Sequence, residues 1–209
     1  MARVLHVVAS PRAEAYSSRL ADQFLTAYGE QRPQDAIERL DLFRAEIPDF
    51  LAPAAKAKYA VMSGGAADGE TETAWRKVID AIDHFKSFDK YVLSTGMWNF
   101  TVPYRLKQYI DVIVQPGLTF SFSPERGYVG LVTDRPLMLI MASGGEYGPG
   151  DPRETHDFLE PYLRGVFGFI GFSDVHVIRV QGTLQNKPER IEADLKTAVA
   201  AAQQAAQTF

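Results

Sequence analysis

Cysteine is absent from the 209-residue chain. That excludes disulfide frameworks, thiol nucleophiles, cysteine-ligated zinc and iron–sulfur clusters, and it fits a reducing compartment. Histidine is scarce, with four in all: His6, His84, His156 and His176. No two stand at i, i+4 and none lies in an H-E-x-x-H motif, so no metal site is expected. No apolar run approaches the ~20 residues that a membrane span needs. Val4 to Ala9 is too short for a signal-peptide core and stops at Ser10-Pro11, so we expect a cytoplasmic protein with no membrane partner. Dense basic runs are missing too. The 22 Lys+Arg against 26 Asp+Glu leave a formal charge of -4, which argues against nucleic acid as a partner.

What is present fits one ordinary domain spanning residues 1–209. Hydrophobic residues are 46% and charged residues 23% of the chain, both usual for a globular protein. Short β-branched and apolar runs recur at Val4–Ala9, Ile37–Leu42, Lys90–Thr95, Leu137–Met141 and Val175–Val180 and predict strands. Between them lie helical repeats: Leu20, Phe24, Leu25 and Tyr28; then Trp75, Val78, Ile79 and Ile82; then Leu106, Tyr109, Ile110 and Ile113. Phe158, Tyr162, Leu163 and Val166 predict a further helix, and Pro188 opens the last one. Residues 43–70 read as short helical pieces and loops. Thr119 to Ser123 alternates strictly, and a Pro124-Glu125-Arg126-Gly127 turn follows, so 118–134 predicts a small hairpin. Strand and helix alternating five times imply a parallel sheet covered on both faces. The expected class is α/β: a flavodoxin-like three-layer sandwich with a five-stranded parallel sheet.

In such sheets ligands sit beyond the carboxyl ends of the strands. Three loops fall there. Ser10-Pro11-Arg12 leads through Ser17-Ser18 into the first helix, whose free N–H groups and dipole favour a phosphate; Ser17 also reads as a plain N-cap. The dinucleotide pattern G-x-G-x-x-G and the P-loop pattern are both missing here. Met97-Trp98-Asn99-Phe100 follows the third strand and suits a flat apolar ligand, or a loop that packs its own aromatics inward. Ser143-Gly144-Gly145-Glu146-Tyr147 follows the fourth. Its paired glycines permit positive φ and a close backbone approach, or form an ordinary turn.

The whole chain, over roughly residues 3–205, resembles the FMN-dependent NADH-azoreductase family, also called FMN-dependent NADH:quinone oxidoreductases. Ser10-Pro11-Arg12 with Ser17 and Leu20 carries part of the likeness. The longer part runs from Met97-Trp98-Asn99-Phe100 through Pro103, Leu106-Lys107 and Tyr109-Ile110-Asp111 to Gly117 and Thr119-Phe120. Gly144-Gly145, Tyr162-Leu163, Gly168-Phe169-Ile170-Gly171 and Asp174-Val175 complete it. The resemblance implies a homodimer with the active site at the interface and FMN at each sheet edge. It implies phosphate contacts from Ser10, Arg12, Ser17 and Ser18, ring contacts from Met97, Trp98, Asn99 and Phe100, and contacts to the other side from Gly144, Gly145 and Tyr147. Asn99, Phe122 and the partner subunit's Phe169 would line the substrate slot. Two departures stand out. Ala15 occupies a position where the family often has serine, in a loop one residue shorter, and Ala142-Ser143 stands where Ser-Arg is common.

The activity this implies is two-electron transfer from NADH or NADPH to a quinone or azo compound, in a ping-pong scheme with no essential acid or base. The rival reading is a flavodoxin-like electron carrier without NAD(P)H turnover. A serine hydrolase built on Ser143 lacks the G-x-S-x-G context.

Overall fold

The computed structural model describes residues 1–209. In chain order the elements are β1 (Arg3–Ala9), α1 (Tyr16–Gln31), β2 (Ala36–Asp41), α2 (Ala52–Met62), α3 (Gly69–Lys86), β3 (Lys90–Gly96) and α4 (Tyr104–Ile113). They continue as β4 (Phe120–Ser123), β5 (Gly127–Gly130), β6 (Leu137–Ala142), α5 (Glu160–Ile170), β7 (Val175–Val180) and α6 (Pro188–Thr208). One sheet runs in the order β2-β1-β3-β6-β7, with every neighbouring pair parallel. This is the doubly wound order in which the chain reverses direction of growth after β2.

The central strands are apolar throughout because both of their faces are covered. β1 and β6 are buried along nearly their whole length, whereas the edge strand β2 is largely exposed. Helices α1 and α6 cover one face: Leu20, Phe24 and Tyr28 meet Ala198, Ala202 and Ala206 over Val4, Val92 and Ile140. Alanines four residues apart let two helices approach closely, which accounts for the alanine-rich carboxyl end. On the other face Val78, Ile82, Leu106, Ile110, Leu163 and Phe167 pack over Leu5, Leu93 and Leu139. No helix is long and apolar enough to cross a membrane.

Two elements differ from expectation. The run 43–70 holds a full helix, α2, with Tyr59 and Met62 exposed. Phe158 lies before α5 rather than in it, because Asp157 Oδ1 accepts from the N–H groups of Leu159 and Glu160 and starts the helix there.

The hairpin forms as expected, with Phe120 opposite Gly130 and Phe122 opposite Tyr128. It docks on the end of α5 through the Val132 N–H bond to the Ile170 carbonyl at 2.8 Å. A Cβ at Gly130 would overlap backbone atoms of Ile170 and Gly171, and Gly171 itself has φ +121. Backbone cannot give way as a side-chain tip can. Gly130→Ala is therefore expected to cost ~3 kcal/mol or more of overpacking. Gly29→Ala, which meets nothing within 4 Å, is expected to stabilise helix α1 by about 0.5–1 kcal/mol. Chemical denaturation of both variants checks this; equal effects would show that the hairpin is not held by that contact.

Candidate functional site

β1, β3 and β6 all point their carboxyl ends to the same edge, so the loops after them converge. The first loop enters α1 at Tyr16. The residue before it, Ala15, has extended backbone angles and offers no side-chain cap. Ser17 is thus inside the helix and is not its N-cap. The first-turn N–H groups have no side-chain acceptor from the chain; the Arg19 N–H is the first to bond back, to the Ala15 carbonyl at 3.0 Å. Ser17 and Ser18 are 0% and 1% exposed, and neither hydroxyl oxygen has a hydrogen-bond partner. Buried polar groups are almost always paired. Two orphan hydroxyls beside an uncapped helix start fit a phosphate, which supplies several strong acceptor oxygens and a negative charge. Ser10 stands at the mouth with its Oγ 3.4 Å from the Arg12 N–H. Arg12 is exposed.

The second loop is anchored by the Met97 N–H bond to the Ala142 carbonyl at 2.8 Å. Trp98 and Thr101 then exchange two backbone bonds of 2.9 and 3.0 Å, closing a two-residue turn. Its central residues, Asn99 and Phe100, have φ of 47° and 71°. Asparagine tolerates that region, whereas a bulky aromatic there is strained. The strain holds Trp98 and Phe100 outward, 39% and 47% exposed. Trp98 leans on Phe43 and Tyr104. Phe100 packs on His156 and Tyr147, and its carbonyl accepts from the Phe158 N–H. Phe43, Tyr104, His156 and Phe158 are thus site neighbours that no sequence signal singled out. Beside the turn lies a groove of about 850 Å³, walled by Phe50, Leu51, Trp98, Asn99, Tyr104 and Tyr162. Lys107 at its edge is held charged by hydrogen bonds to Asp111, which push its pKa up. Burial pushes the Tyr162 phenol up, so it remains a proton-bearing group at neutral pH.

The third loop departs from expectation in its glycines. Neither Gly144 nor Gly145 has positive φ. What they provide is space: a Cβ at Gly144 would press on Leu184, and one at Gly145 on the Tyr147 ring. Tyr147 is fixed by its N–H bond to Gln181 Oε1 at 2.7 Å. The Ser143 hydroxyl donates to the Gly145 carbonyl at 2.8 Å, so it is a structural turn element and has no nucleophile's freedom.

Phe122 and Phe169 are not brought to this edge. Helix α4 returns from β3 to the amino edge of the sheet, and the hairpin after it stays there: Lys86 Nζ, at the end of α3, donates to the Leu118 carbonyl at 3.0 Å. At that edge Phe120, Phe122, Tyr128 and Phe169 form one aromatic cluster, with ring centroids 4.6 to 6.1 Å apart along its contacts. Phe122 is 61% exposed and Phe169 37%. Within one chain, neither lines a slot with Asn99. Of the histidines, His6 is buried against Ser94, and His84 and His176 pair with Glu38 and Asp174. No group of three or more metal-ligating side chains occurs.

A parallel sheet in this order, with a phosphate-ready helix start and a strained aromatic turn at one edge, defines a flavodoxin-like nucleotide-binding protein. The comparisons agree. The family model described as flavodoxin-like fold matches residues 2–206. An FMN-dependent NADH:quinone oxidoreductase of Nitratidesulfovibrio vulgaris strain Hildenborough is 43% identical over 210 residues, covering 100% of both chains. One from Bradyrhizobium diazoefficiens is 40% identical over 183 residues, 88% of each. Among solved structures, azoreductase from Bacillus anthracis strain Sterne superposes with a TM-score of 0.91 at 29% identity, covering 100% of both chains. An FMN-dependent NADH-azoreductase from Bacillus anthracis strain Ames Ancestor in complex with FMN gives 0.89 at 27%, covering 100% of this chain and 99% of the other. The chain belongs to the family of FMN-dependent NADH:quinone oxidoreductases and azoreductases.

Proposed function

We propose that this protein is an FMN-dependent oxidoreductase that passes two electrons from NADH or NADPH to quinones and azo compounds by a ping-pong route. The observation that carries this reading is the pair of buried, unpartnered hydroxyls of Ser17 and Ser18 at the uncapped start of α1, on the same edge as the Trp98–Phe100 turn. FMN, when bound, would supply the two-electron redox chemistry between nicotinamide and acceptor. The chain supplies position and exclusion. Ser17, Ser18 and the first-turn N–H groups would hold the phosphate, with Ser10 and Arg12 at its open side. Met97, Trp98, Asn99 and Phe100 would seat the flat ring, with the amide of Asn99 available to its polar atoms. Gly144, Gly145 and Tyr147 would close the other side.

The substrate slot needs a second copy. In one chain Phe122 and Phe169 stand at the opposite edge from Asn99, both exposed. A homodimer that lays this aromatic cluster over the partner's turn gives the slot an apolar wall, and apolar walls stack on flat acceptors with little selectivity. The partner would then be a small aromatic molecule in a cytoplasmic homodimer. An electron carrier without turnover needs an exposed docking face rather than a walled groove beside the ring, and a charge of -4 offers little acidic surface.

The test is a visible spectrum of the purified protein, taken before and after adding FMN and then NADH without oxygen. A flavin band that bleaches with NADH and returns with a quinone supports the enzyme. Bleaching that requires a separate reductase would favour the carrier. Trp98→Ala and Asn99→Ala are expected to lower kcat/KM by about tenfold or more, as loss of ring or substrate contacts of ~1.4 kcal/mol implies. Each variant also loses some stability, Asn99→Ala because alanine is disfavoured at φ 47° and Trp98→Ala because it gives up its contacts with Phe43 and Tyr104, so kinetics are read well below the melting temperature of each. Unchanged kinetics in both variants would remove this turn from the site.

A further inference from the structure

A second cavity, of about 730 Å³, opens between β2, α2 and α3. It lies behind the segment that carries Asp49 and Leu51, which also wall the groove beside Trp98. No residue of the serine loop, the Trp98–Phe100 turn or the Gly144–Tyr147 loop lines it. Part of its lining is apolar: Leu40 from β2, Ile47 from the following loop, Ala54 from α2, and Ala74 and Ala81 from α3. The small side chains on the two helices are what leave the space open. Its size is that of a pocket for a small organic molecule, which runs to about 300–1,000 Å³.

Two features point to what fills it. The first is Tyr109, from α4, which lines the cavity. Tyr109 is 4% exposed and its hydroxyl has no hydrogen-bond partner. Burial, with Tyr91 and Glu38 nearby, keeps the phenol protonated, so it can donate one bond and accept others. A buried hydroxyl without a partner is rare in a folded protein, and a ligand atom in the cavity would supply one. The second feature is the rim. Glu46, Asp49, Glu70 and Asp80 line the cavity together with Lys77, and none of these five side chains is in an ion pair. Asp49 accepts only from Gln108 Nε2, at 3.2 Å. His84, also in the lining, is engaged with Glu38. The rim therefore carries an uncompensated negative charge.

We propose that this cavity is a binding site for a small aromatic amine. Its planar body would lie between α2 and α3, its polar edge atom would reach the Tyr109 hydroxyl, and its ammonium group would sit among the rim carboxylates. An anion of the same shape is disfavoured by the same charges.

Calorimetric titration of the full-length, FMN-saturated protein with tryptamine tests this, with indole-3-acetate as the anion of matching shape. Saturable binding of tryptamine is expected, at least about tenfold tighter than that of indole-3-acetate. Ala81→Trp, which fills the cavity, should abolish it. Tyr109→Phe should weaken it about fivefold or more while leaving the melting temperature equal or higher, since the hydroxyl it removes is unpaired. Ala81→Trp binding like wild type would place tryptamine elsewhere, on the flavin for instance, and overturn the proposal. So would equal binding of the two ligands, or no binding of tryptamine. Should Ala81→Trp fail to fold, Tyr109→Phe decides alone, and unchanged affinity there rejects the site. FMN binding should be unchanged in both variants, so these outcomes are independent of the oxidoreductase reading.

Discussion

Replacing Ser17 and Ser18 together by alanine is expected to stabilise the flavin-free protein and to weaken FMN binding by a factor of about 100 or more. The two effects have opposite signs for one reason. Without a ligand each buried hydroxyl is unpaired, and an unsatisfied buried polar group costs ~1–3 kcal/mol. With a phosphate in place each hydroxyl donates to a charged oxygen, worth ~1.5–3 kcal/mol per bond. If the serines served only to cap α1, alanine would instead cost about 1 kcal/mol of helix stability. The cap position belongs to Ala15, which makes no side-chain bond, so that loss is not expected. Thermal melts with and without FMN, together with a flavin fluorescence titration, read both signs. Unchanged FMN affinity, or a lower melting temperature without flavin, would remove these hydroxyls from the phosphate site.

How much of this was legible in the sequence depends on whether a feature is local. β1, β3 and β6 read cleanly because strands covered on both faces must be apolar throughout. The sequence pattern starts β2 one residue late, since an edge strand with exposed Glu38 and Arg39 leaves only a faint signal. Periodicity puts Phe158 in a helix, because nothing local shows that Asp157 accepts the N–H bonds that start the helix after it. The serine loop stands out in the sequence, but its strongest sign does not. That Ser17 and Ser18 are buried and unpaired follows only from how α1 packs on the sheet. Trp98 and Phe100 were visible as aromatics. Their strained turn was not, because Asn99-Phe100 is not the asparagine–glycine pair that announces such a turn. That Phe122 stands at the amino edge of its own chain is legible from the order of the elements. A helix after a parallel strand must carry the chain back to the amino edge, and the hairpin follows that helix directly.

The second large effect concerns acid. His6 is 1% exposed, with its Nε2 2.9 Å from Ser94 Oγ. Burial, helped by the nearby Arg39 charge, lowers its pKa from 6.5 to about 3. The folded protein thus keeps His6 neutral over a range in which the unfolded chain takes up a proton. Protons bind preferentially to the unfolded state between these two values, so stability rises with pH there and is lost as pH falls below about 6.5. At pH 4.5 the loss from this one group is about 3 kcal/mol, from two pH units at about 1.4 kcal/mol each. His6→Leu combined with Ser94→Ala removes both partners and leaves no orphan. Denaturant melts of flavin-free wild type and double variant at pH 7 and pH 4.5 should show the variant losing about 3 kcal/mol less. The other histidines and the carboxylates are common to both proteins and cancel in the difference. Equal losses would mean that His6 does not titrate on unfolding. His6 lies on β1 and Ser94 on β3, neighbouring strands in the sheet. Their carboxyl ends carry the serine loop and the Trp98–Phe100 turn. His6 stays neutral in the folded protein down to about pH 3, so acid acts on the flavin site through loss of the fold that joins these two strands. Wild type should release FMN at a higher pH than the double variant, and the FMN phosphate, common to both, cannot produce that difference.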